Sequence, residues 1–572
     1  MKKCALFIVA MGLCLAGIPQ SSYQISWGEG IKLKKGTADL AIIAADNTGL
    51  YFTDERKTAS EEEGGQPPAY TLYKLDKNFS GVFEKAYKKE LKGLRFQSFQ
   101  SLGNELFLFA TDYEKKERLF KIYGAKLDKN SGDLVGGFSE LGSYGLETSR
   151  DNYEMKVTPI HNGNSFLMVS NISAGTKVSI GISLLDKSLK KIENTVINLA
   201  FDPAHFQLQD IQFTKNNKII LLGKEYEEAQ IGKRKRLRLV FKQYVMSIYN
   251  TKGDKEKDVV LNANQRYIIS GKLIEQQTGE LLLAGFYSNA PGKTDLNGFF
   301  INRIDPEKGA LLLSSFKEIN SGMLGQGYAD ADDALDEKEP RKKPGEDADE
   351  EEFPNSFTIK SVDINPADNS IIITSESSRL SFSSYYEQRY NSLTRTYTTT
   401  TTSIHRFLTQ DILLISADKN GNINWLNALP KSQLEDFRTT DERYATGFNY
   451  FYDWGYYFAP ISGLPFYSSY KSLVQDNKLV LLFNDHTSNN VNAEYGDRVK
   501  TVSNFRKRSA IYGVSVDLAT GKMSRRVIAA NTEETVLMPR HAFVLSNEVI
   551  IPSWRQHLMA KTELKFARIS VK

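Results

Sequence analysis

A two-strand pattern that recurs seven times constrains the fold of this chain more than any other feature. Each copy has an apolar strand, an Asp or Asn, a polar or Gly-containing turn, and a second strand. The copies begin at Tyr70, Phe120, Val178, Tyr244, Gly298, Asp411 and Ala510. Repetition of one supersecondary unit along the chain predicts an architecture built from copies of one small sheet.

A further hairpin precedes each of these copies. Examples begin at Phe96, Ile160, Ile211, Leu273, Val362 and Leu473, and each has a tight turn rich in Asn, Gly or Asp. These residues tolerate positive φ or cap the turn with their side chains. One unit therefore has four strands, A to D, which is the composition of a β-propeller blade.

The last part of the chain contains an eighth unit, which begins at His541 and has A, B and C strands but no D strand. A strand from the segment 23–33 would complete it, close the ring and remove two exposed sheet edges. We therefore predict an all-β fold: a propeller of eight four-stranded blades, closed by the N-terminal strand. Seven blades is the alternative.

An acid or amide stands at the same place in each C–D turn. These residues are Asp76, Asp128, Asp186, Asn250, Asp305, Asp418 and Asp517. The first gaps between them are 52 to 64 residues, and the last two, of 113 and 99, contain insertions. A residue that recurs in every unit is expected to build the turn rather than to perform chemistry.

Residues 1–22 have the pattern of a signal peptide. Lys2 and Lys3 precede an apolar run from Cys4 to Ala16, which is too short to span a bilayer as a mature helix. Lipidation of Cys14 is the less favoured alternative, because the large Leu13 precedes it. We predict an exported protein of the periplasm, the cell surface or the extracellular space, with residues 23–572 forming one propeller domain.

Composition narrows the classes of partner and of chemistry. Both cysteines lie in the signal segment, so the mature chain has no disulfide, thiol nucleophile or cysteine metal site. A net charge of +4 is small for 572 residues and gives no argument for nucleic-acid binding. The sequence after the signal segment has no stretch of 18 apolar residues, so we predict no transmembrane segment. We expect a monomer.

Every long insertion falls at a B–C or a D–A junction. The B–C insertions are 56–69, 225–241, 375–410 and 485–508, and the D–A insertions are 321–355 and 431–465. Because strands alternate in direction within a blade, these junctions share one face of the disc, here called the long-loop face. Loops carried by a rigid scaffold tend to hold function. We therefore predict that the long-loop face is the working face.

The insertion 431–465 is rich in aromatic residues. Exposed rings can stack on sugars or anchor a partner protein, and the alternative is that they pack the loop onto the disc. The predicted ligand-binding residues are Tyr450, Tyr452, Asp453, Trp454, Tyr456 and Tyr457.

A basic patch lies in the insertion 225–241. It consists of Lys233, Arg234, Lys235 and Arg236. Basic clusters can bind polyanions. The apolar alternation after Arg236 instead favours a strand with basic residues on its solvated side.

The acidic insertion 321–355 has almost no apolar residues, so it cannot offset its ordering entropy and is predicted to be disordered. Its Asp330, Asp332 and Asp333 lack the glycine and closing Glu of an EF-hand loop. The Thr-rich insertion 375–410 predicts a long hairpin protruding from the disc, with His405 on its surface.

Familiar catalytic signatures are missing from the sequence. There is no G-x-S-x-G, H-E-x-x-H or Walker loop, and the six histidines show no ligand spacing. We therefore predict no catalytic residue, metal or cofactor.

Two turns, DLATGK at Asp517 and DKNGNINW at Asp418, resemble the Asp-x-x-x-Gly, later Trp, pattern of quinoprotein-type propeller repeats. Only Trp425 stands where that family has its regular tryptophans. The resemblance implies kinship of fold with that family. The chain as a whole resembles large exported bacterial propellers. The family's calcium and quinone ligands do not map onto this chain.

Two functions are consistent with these patterns. The first is a non-catalytic binding or assembly module that holds a glycan or a protein on its long-loop face. The alternative is an enzyme, a polysaccharide hydrolase or lyase, with carboxylates at the mouth of the central channel. Two or three inward carboxylates or histidines within mutual reach would favour the enzyme, and a plugged channel or an aromatic rim would favour binding.

Overall fold

The computed structural model describes residues 23–33, 37–56, 69–146, 152–160, 163–174, 177–199, 205–231, 236–261, 263–290, 295–324, 357–391, 395–439, 464–475, 477–489, 495, 497, 499–532, 535–546, 548–555 and 563–571. Nearly all regular structure in these residues is β. The helical parts are a single turn, α1 (Phe505–Arg508), and the 3-10 turns Ser321–Met323 and Pro539–His541.

Two short strands, β1 (Tyr23–Trp27) and β2 (Ile31–Lys32), precede the first blade. Blade 1 comprises β3 (Thr37–Asp46), β4 (Gly49–Arg56), β5 (Ala69–Leu75) and β6 (Gly81–Ala86). Blade 2 comprises β7 (Arg95–Leu102), β8 (Glu105–Glu114), β9 (Leu119–Leu127) and β10 (Leu134–Gly145). Blade 3 comprises β11 (Asn152–Pro159), β12 (Ser165–Ala174), β13 (Lys177–Asp186) and β14 (Lys191–Leu199). Blade 4 comprises β15 (Phe206–Phe213), β16 (Ile219–Ile231), β17 (Arg236–Tyr249) and β18 (Lys255–Leu261).

The other blades follow the same plan. Blade 5 comprises β19 (Tyr267–Glu275), β20 (Leu281–Ser288), β21 (Gly298–Asp305) and β22 (Ala310–Glu318). Blade 6 comprises β23 (Phe357–Ile364), β24 (Ile371–Asn391), β25 (Thr396–Ala417) and β26 (Ile423–Leu429), with β27 (Gln433–Thr439) added to β25. Blade 7 comprises β28 (Tyr470–Gln475), β29 (Lys478–His486), β30 (Ser509–Asp517) and β31 (Met523–Ala530). Blade 8 comprises β32 (Phe543–Val544), β33 (Glu548–Arg555) and β34 (Glu563–Val571).

The N-terminal strand completes blade 8. Strand β1 pairs antiparallel with β34, from Tyr23 opposite Val571 to Trp27 opposite Ala567. The sheet order of blade 8 is thus β32–β33–β34–β1, whereas the other seven blades each use four consecutive strands. Eight blades and closure by the N-terminal strand are confirmed.

Eight hydrophobic clusters hold the blades together, one between each pair of neighbours. The cluster between blades 8 and 1 joins Ile550 and Phe566 to Leu50 and Phe52. Its presence shows that the sheets form a closed ring rather than an open stack. The apolar core of the protein therefore lies between neighbouring blades, as expected for repeats that cannot bury both faces alone.

The A strands lie nearest the axis of the ring. Neighbouring A strands contact each other, including β3 with β7 and β3 with β32. Side chains also bridge them: Lys272 Nζ donates to the carbonyl of Lys360 at 3.3 Å. In contrast, D strands such as β14 and β18 present mostly exposed residues and form the outer rim.

The repeated C–D residues build the turns, as predicted. In every case one side-chain oxygen accepts two backbone N–H groups from the turn that follows. These residues are Asp76, Asp128, Asp186, Asn250, Asp305, Asp418 and Asp517. An amide serves as well as a carboxylate because only the acceptor oxygen is needed.

Substitution at Asp186 tests this role. Its Oδ1 accepts Ser188 N at 2.8 Å, Lys190 N at 2.9 Å and Ser188 Oγ at 2.7 Å. We expect Asp186→Ala to lower the free energy of unfolding by about 1 kcal/mol and Asp186→Asn to lower it less, as measured by denaturant titration. An equal loss in both variants would argue against the hydrogen-bonding role.

The same turn has a pH signature. The Ser188 hydroxyl and the backbone donors hold the pKa of Asp186 below its ordinary value. A depressed folded-state pKa gives stability that is present above about pH 4 and is lost as pH falls through the folded-state value. We expect Asp186→Asn to remove this part of the acid sensitivity.

Candidate functional site on the long-loop face

Two of the predicted insertions form long hairpins on the long-loop face. Strands β16 and β17 extend together to the pair Ile231 and Arg236. Strands β24 and β25 extend much further, to the pair Asn391 and Thr396. The prediction of a protruding hairpin at 375–410 is confirmed.

The second hairpin leaves the disc at Ser378. Strand β23 pairs with β24 only as far as Ser377, so residues 378–391 and 396–409 form a two-stranded arm above blade 6. Fourteen residues per strand correspond to about 45 Å. Strand β27 adds a third strand beside residues 403–409 of β25, at the base of the arm. We call this hairpin the blade 6 arm.

One side of the arm carries a row of aromatic rings. Side chains on one face of an antiparallel pair come from alternate residues and their direct partners. Register places Phe382, Tyr386 and Tyr390 of β24 on the same face as Tyr397 of β25. Tyr390 and Tyr397 are direct partners, with ring centroids 5.0 Å apart.

The rest of this face is uncharged and rich in hydroxyl groups. Its other members are Ser384, Gln388, Thr399, Thr401 and Ser403. Tyr386 is 71 % exposed and Tyr397 is 68 % exposed. Apart from the buried Ser403, the face therefore offers large rings and neutral hydrogen-bonding groups to solvent.

The prediction that His405 lies on the surface is wrong. His405 is fully buried at the base of the arm, with its ring 5.0 Å from that of Phe382 and 6.3 Å from that of Phe437. Burial lowers the pKa of His405. The burial of His405 could not be predicted from the neighbouring sequence, because β27, which covers His405, belongs to the insertion 431–465.

The base of the arm packs across the face towards blade 8. Phe407, Leu380 and Phe437 belong to the cluster that joins blades 8 and 1. Phe466, from the chain that enters blade 7, links them to blade 8, since its ring lies 4.5 Å from that of Trp554. An apolar layer thus spans the inner end of the long-loop face from blade 6 to blade 8.

A buried ion pair lies beneath this layer. Lys431 Nζ lies 2.7 Å from Glu376 Oε1, and both side chains are fully buried. Lys360 Nζ lies 3.3 Å from Glu376 Oε2. Burial disfavours the charged form of Glu376, but Lys431 and Lys360 outweigh it and hold the pKa of Glu376 below its ordinary value.

Polar side chains continue the network from this pair. Lys431 Nζ also donates to Thr409 Oγ1 at 3.3 Å and to Gln433 Oε1 at 3.0 Å. Ser469 Oγ donates to Glu376 Oε2 at 2.6 Å, and Ser469 N donates to Gln433 Oε1 at 2.7 Å. The network therefore ties β24 and β25 to the segments on both sides of the aromatic insertion.

Glu435 anchors the returning segment through backbone donors. Its carboxylate accepts Phe466 N at 2.7 Å, Tyr467 N at 2.9 Å and Ser468 N at 2.9 Å. Burial raises the pKa of Glu435, and the three N–H groups oppose that shift. This carboxylate is used to hold residues 466–468 in place.

Blades 7 and 8 complete the anchor. Asn484 Nδ2 donates to the carbonyls of Tyr467 at 2.9 Å and Leu537 at 2.7 Å. Tyr467 Oη donates to the carbonyl of Trp554 at 2.8 Å. The arm and both ends of the aromatic insertion therefore share one foundation built from three blades.

Most of the predicted binding residues are not among those that the structure describes. Tyr450, Tyr452, Asp453, Trp454, Tyr456 and Tyr457 lie outside the described residues, as do Lys233, Arg234 and Lys235. Arg236 is the first residue of β17, where it pairs with Ile231. Residues 325–356, which include most of the acidic insertion, and residues 1–22, the predicted signal segment, also lie outside them. These predictions stay predictions.

The described part of the chain holds no group of three His, Cys, Asp or Glu side chains suited to a metal ion. The carboxylates at the arm's base, Glu376 and Glu435, are engaged by lysines and by backbone N–H groups. None of the described helices is long and apolar enough to cross a membrane.

Comparison with known proteins adds only distant likenesses. No family model matches the chain, and no curated protein matches it. Among solved structures it is similar to polysaccharide lyase Uly1, with 9 % identity, 98 % of this chain and 94 % of that chain covered, and a TM-score of 0.34.

Two further similar structures have comparable scores. The β-propeller domain of the Trilobed protease from Pyrococcus furiosus is 7 % identical over 67 % of this chain and 98 % of that chain, with a TM-score of 0.30. The α-L-arabinanase of Penicillium chrysogenum complexed with arabinobiose is 10 % identical over 61 % and 94 %, with a TM-score of 0.30. Scores of this size carry no argument about function, and the particular likeness to quinoprotein-type propellers stays a prediction.

Proposed function

We propose that this protein is a non-catalytic, exported β-propeller that binds a neutral glycan chain on its long-loop face. The observation that carries the proposal is the aromatic face of the blade 6 arm, with Tyr386, Tyr390 and Tyr397 exposed above a rigid disc. The signal segment predicted at residues 1–22 supports an environment where such chains occur.

The chemistry of that face favours sugars over charged ligands. Tyrosine combines a flat apolar ring, on which a sugar ring can stack, with a polar hydroxyl at its tip. Phe382, Tyr386 and Tyr390 recur every fourth residue along one strand, which spaces them by about 13 Å. Hydroxyl and amide side chains between the rings supply hydrogen-bonding partners without charge. This pattern suits an extended, uncharged polymer.

A protein partner is the second candidate, and a different observation favours it. Within the described residues, β24 beyond Ser377 pairs only with β25. An unpaired strand edge can accept an extended peptide as an additional strand. A peptide bound there would use the backbone edge rather than the aromatic face.

Mutation of the rings tests the glycan proposal. We expect Tyr386→Ala/Tyr397→Ala to weaken binding to the glycans that wild type retains on an array by about tenfold or more, because each ring removed costs a stacking contact. Tyr385→Ala is the matched control: Tyr385 is 38 % exposed on the opposite face of the same strand and should bind as wild type does.

Three outcomes would contradict the glycan proposal. In the first, the wild-type protein binds no glycan on the array. In the second, the double variant binds glycan as strongly as the wild-type protein. In the third, the double variant and the Tyr385→Ala control lose the same amount of glycan binding. Circular dichroism and thermal melting of each variant establish that the fold is intact. If the wild-type protein binds no glycan on the array, a protein partner that pairs with the exposed edge of β24 is the remaining candidate.

A further inference from the structure

Charged side chains form a partial ring at one level of the A strands. Lys156 lies opposite Val169, the fifth residue of β12, and Lys272 lies opposite Ala284, the fourth residue of β20. Lys471 lies opposite Leu482, the fifth residue of β29. Because every B strand begins at the same face of the disc and these counts differ by at most one residue, the three lysines lie within about 3.3 Å of one depth along the axis.

Blades 4 and 6 contribute at the same depth. Asp210 lies opposite Leu222, the fourth residue of β16. Lys360 is the extra residue of a β-bulge, between the partners of Thr374 and Ser375 in β24. Bulges re-aim side chains and are common beside functional sites. Five consecutive blades, 3 to 7, therefore place four lysines and one aspartate at one level nearest the axis.

This level has more positive than negative charge. Asp210 interacts electrostatically with Lys156 and Lys272, and Glu376 pairs with Lys360. Glu376 is itself neutralised by the buried Lys431, and Arg540 of the chain leading into blade 8 adds a further cation near Lys360. Other acids of the A strands lie at different depths, Glu154 nearer the long-loop face and Asp363 nearer the short turns.

Three of the four lysines, Lys156, Lys360 and Lys471, are partly buried, whereas Lys272 is exposed. Burial lowers the pKa of Lys156 and of Lys471, and it lowers that of Lys360 to about 8 despite Glu376. Desolvated cations with too few counter-charges gain most from an anion that replaces lost hydration. Propeller blades surround a central channel through which such an anion can approach.

We propose that the central channel binds an anionic ligand bearing carboxylate or phosphate groups, held by Lys156, Lys272, Lys360 and Lys471. This site is distinct from the aromatic face of the arm and does not depend on it. Lysines from separate blades favour a ligand with two or more anionic groups over a single small ion.

Calorimetric titration with citrate and with pyrophosphate, each at constant ionic strength, tests the proposal. We expect wild type to bind at least one of them, and Lys272→Gln/Lys471→Gln to bind it about tenfold or more weakly, as for loss of a charge-assisted hydrogen bond. Citrate tests the carboxylate class and pyrophosphate tests the phosphate class. Neither replaced lysine belongs to the buried pair, so the fold should persist.

Lys308→Gln/Lys419→Gln is the control, because it makes the same change in net charge at the C–D turns of blades 5 and 6. Affinity equal to wild type in this control, with loss in the A-strand variant, supports the channel site. The proposal is overturned if wild type binds neither anion, if both double variants weaken equally, or if the A-strand variant binds as wild type does.

Discussion

Replacing Lys431 with methionine should lower the free energy of unfolding by about 3 kcal/mol. Removal of one partner from a buried ion pair leaves an uncompensated charge and typically costs about 3–5 kcal/mol. The lower figure applies because Glu376 keeps Lys360 at 3.3 Å and Ser469 Oγ at 2.6 Å. Methionine retains the length and much of the volume of lysine, so the loss reports on the charge and its hydrogen bonds. Denaturant titration followed by circular dichroism measures it.

The same substitution should loosen the segments that flank the aromatic insertion. Gln433 and Ser469 are held through the network that Lys431 centres, so limited proteolysis should cut between residues 433 and 470 faster than in wild type. Lys308→Met is the control, since it breaks an exposed ion pair with Asp305. Comparable unfolding midpoints for the Lys431 and Lys308 variants would show that the buried pair contributes little.

The architecture was predictable because its signals are local. Each C–D turn is recognisable in the sequence as an Asp or Asn followed by polar or Gly residues. In the structure the side-chain oxygen of that Asp or Asn accepts two backbone N–H groups of the turn. The strand pattern at Tyr23–Trp27 likewise predicted that this segment completes the eighth unit, where it pairs with β34. Both the turn residues and the strand pattern can be recognised within a stretch of a few residues.

The foundation of the arm was not predictable, because its members are distant in sequence. Glu376 and Lys431 are 55 residues apart, and Ser469 is 93 residues from Glu376. Nothing in the neighbourhood of any one of them distinguishes a buried charge from a solvated one. The sequence gives one indirect indication of this contact. Glu376 and Lys431 stand at the start of the insertions 375–410 and 431–465, which pair with each other through β25 and β27.

Hydroxyl-rich strands hid the aromatic face for a related reason. The densest aromatic run in the sequence is 450–457, whereas Phe382, Tyr386 and Tyr390 are separated mainly by polar residues. Spacing of two or four residues in a strand places side chains on one face. The four-residue spacing of Phe382, Tyr386 and Tyr390 is therefore the signal in the sequence that predicts one aromatic face.

Removing residues 23–33 should open the ring and lower the free energy of unfolding by more than the replacement of Lys431 does. Strand β34 would lose its pairing with β1 and β2, which spans Tyr23 to Trp27 and Ile31 to Lys32. Leu33, almost fully buried, and Ile25, packed between blades 7 and 8, would leave their clusters. Loss of these side chains alone corresponds to about 5 kcal/mol, so we expect a clearly lower melting temperature.

The exposed edge of β34 should also promote association, because unpaired strand edges template pairing with other chains. Size-exclusion chromatography of the truncated protein should show oligomers. A synthetic peptide with the sequence of residues 23–33, added in trans, should restore both the melting temperature and the monomer, because it can re-form the β1–β34 pairing. The same peptide with Ile25→Asp and Leu33→Asp is the control and should restore neither. A truncated protein that melts as wild type does and stays monomeric would mean that packing between blades 8 and 1 closes the ring without the strand.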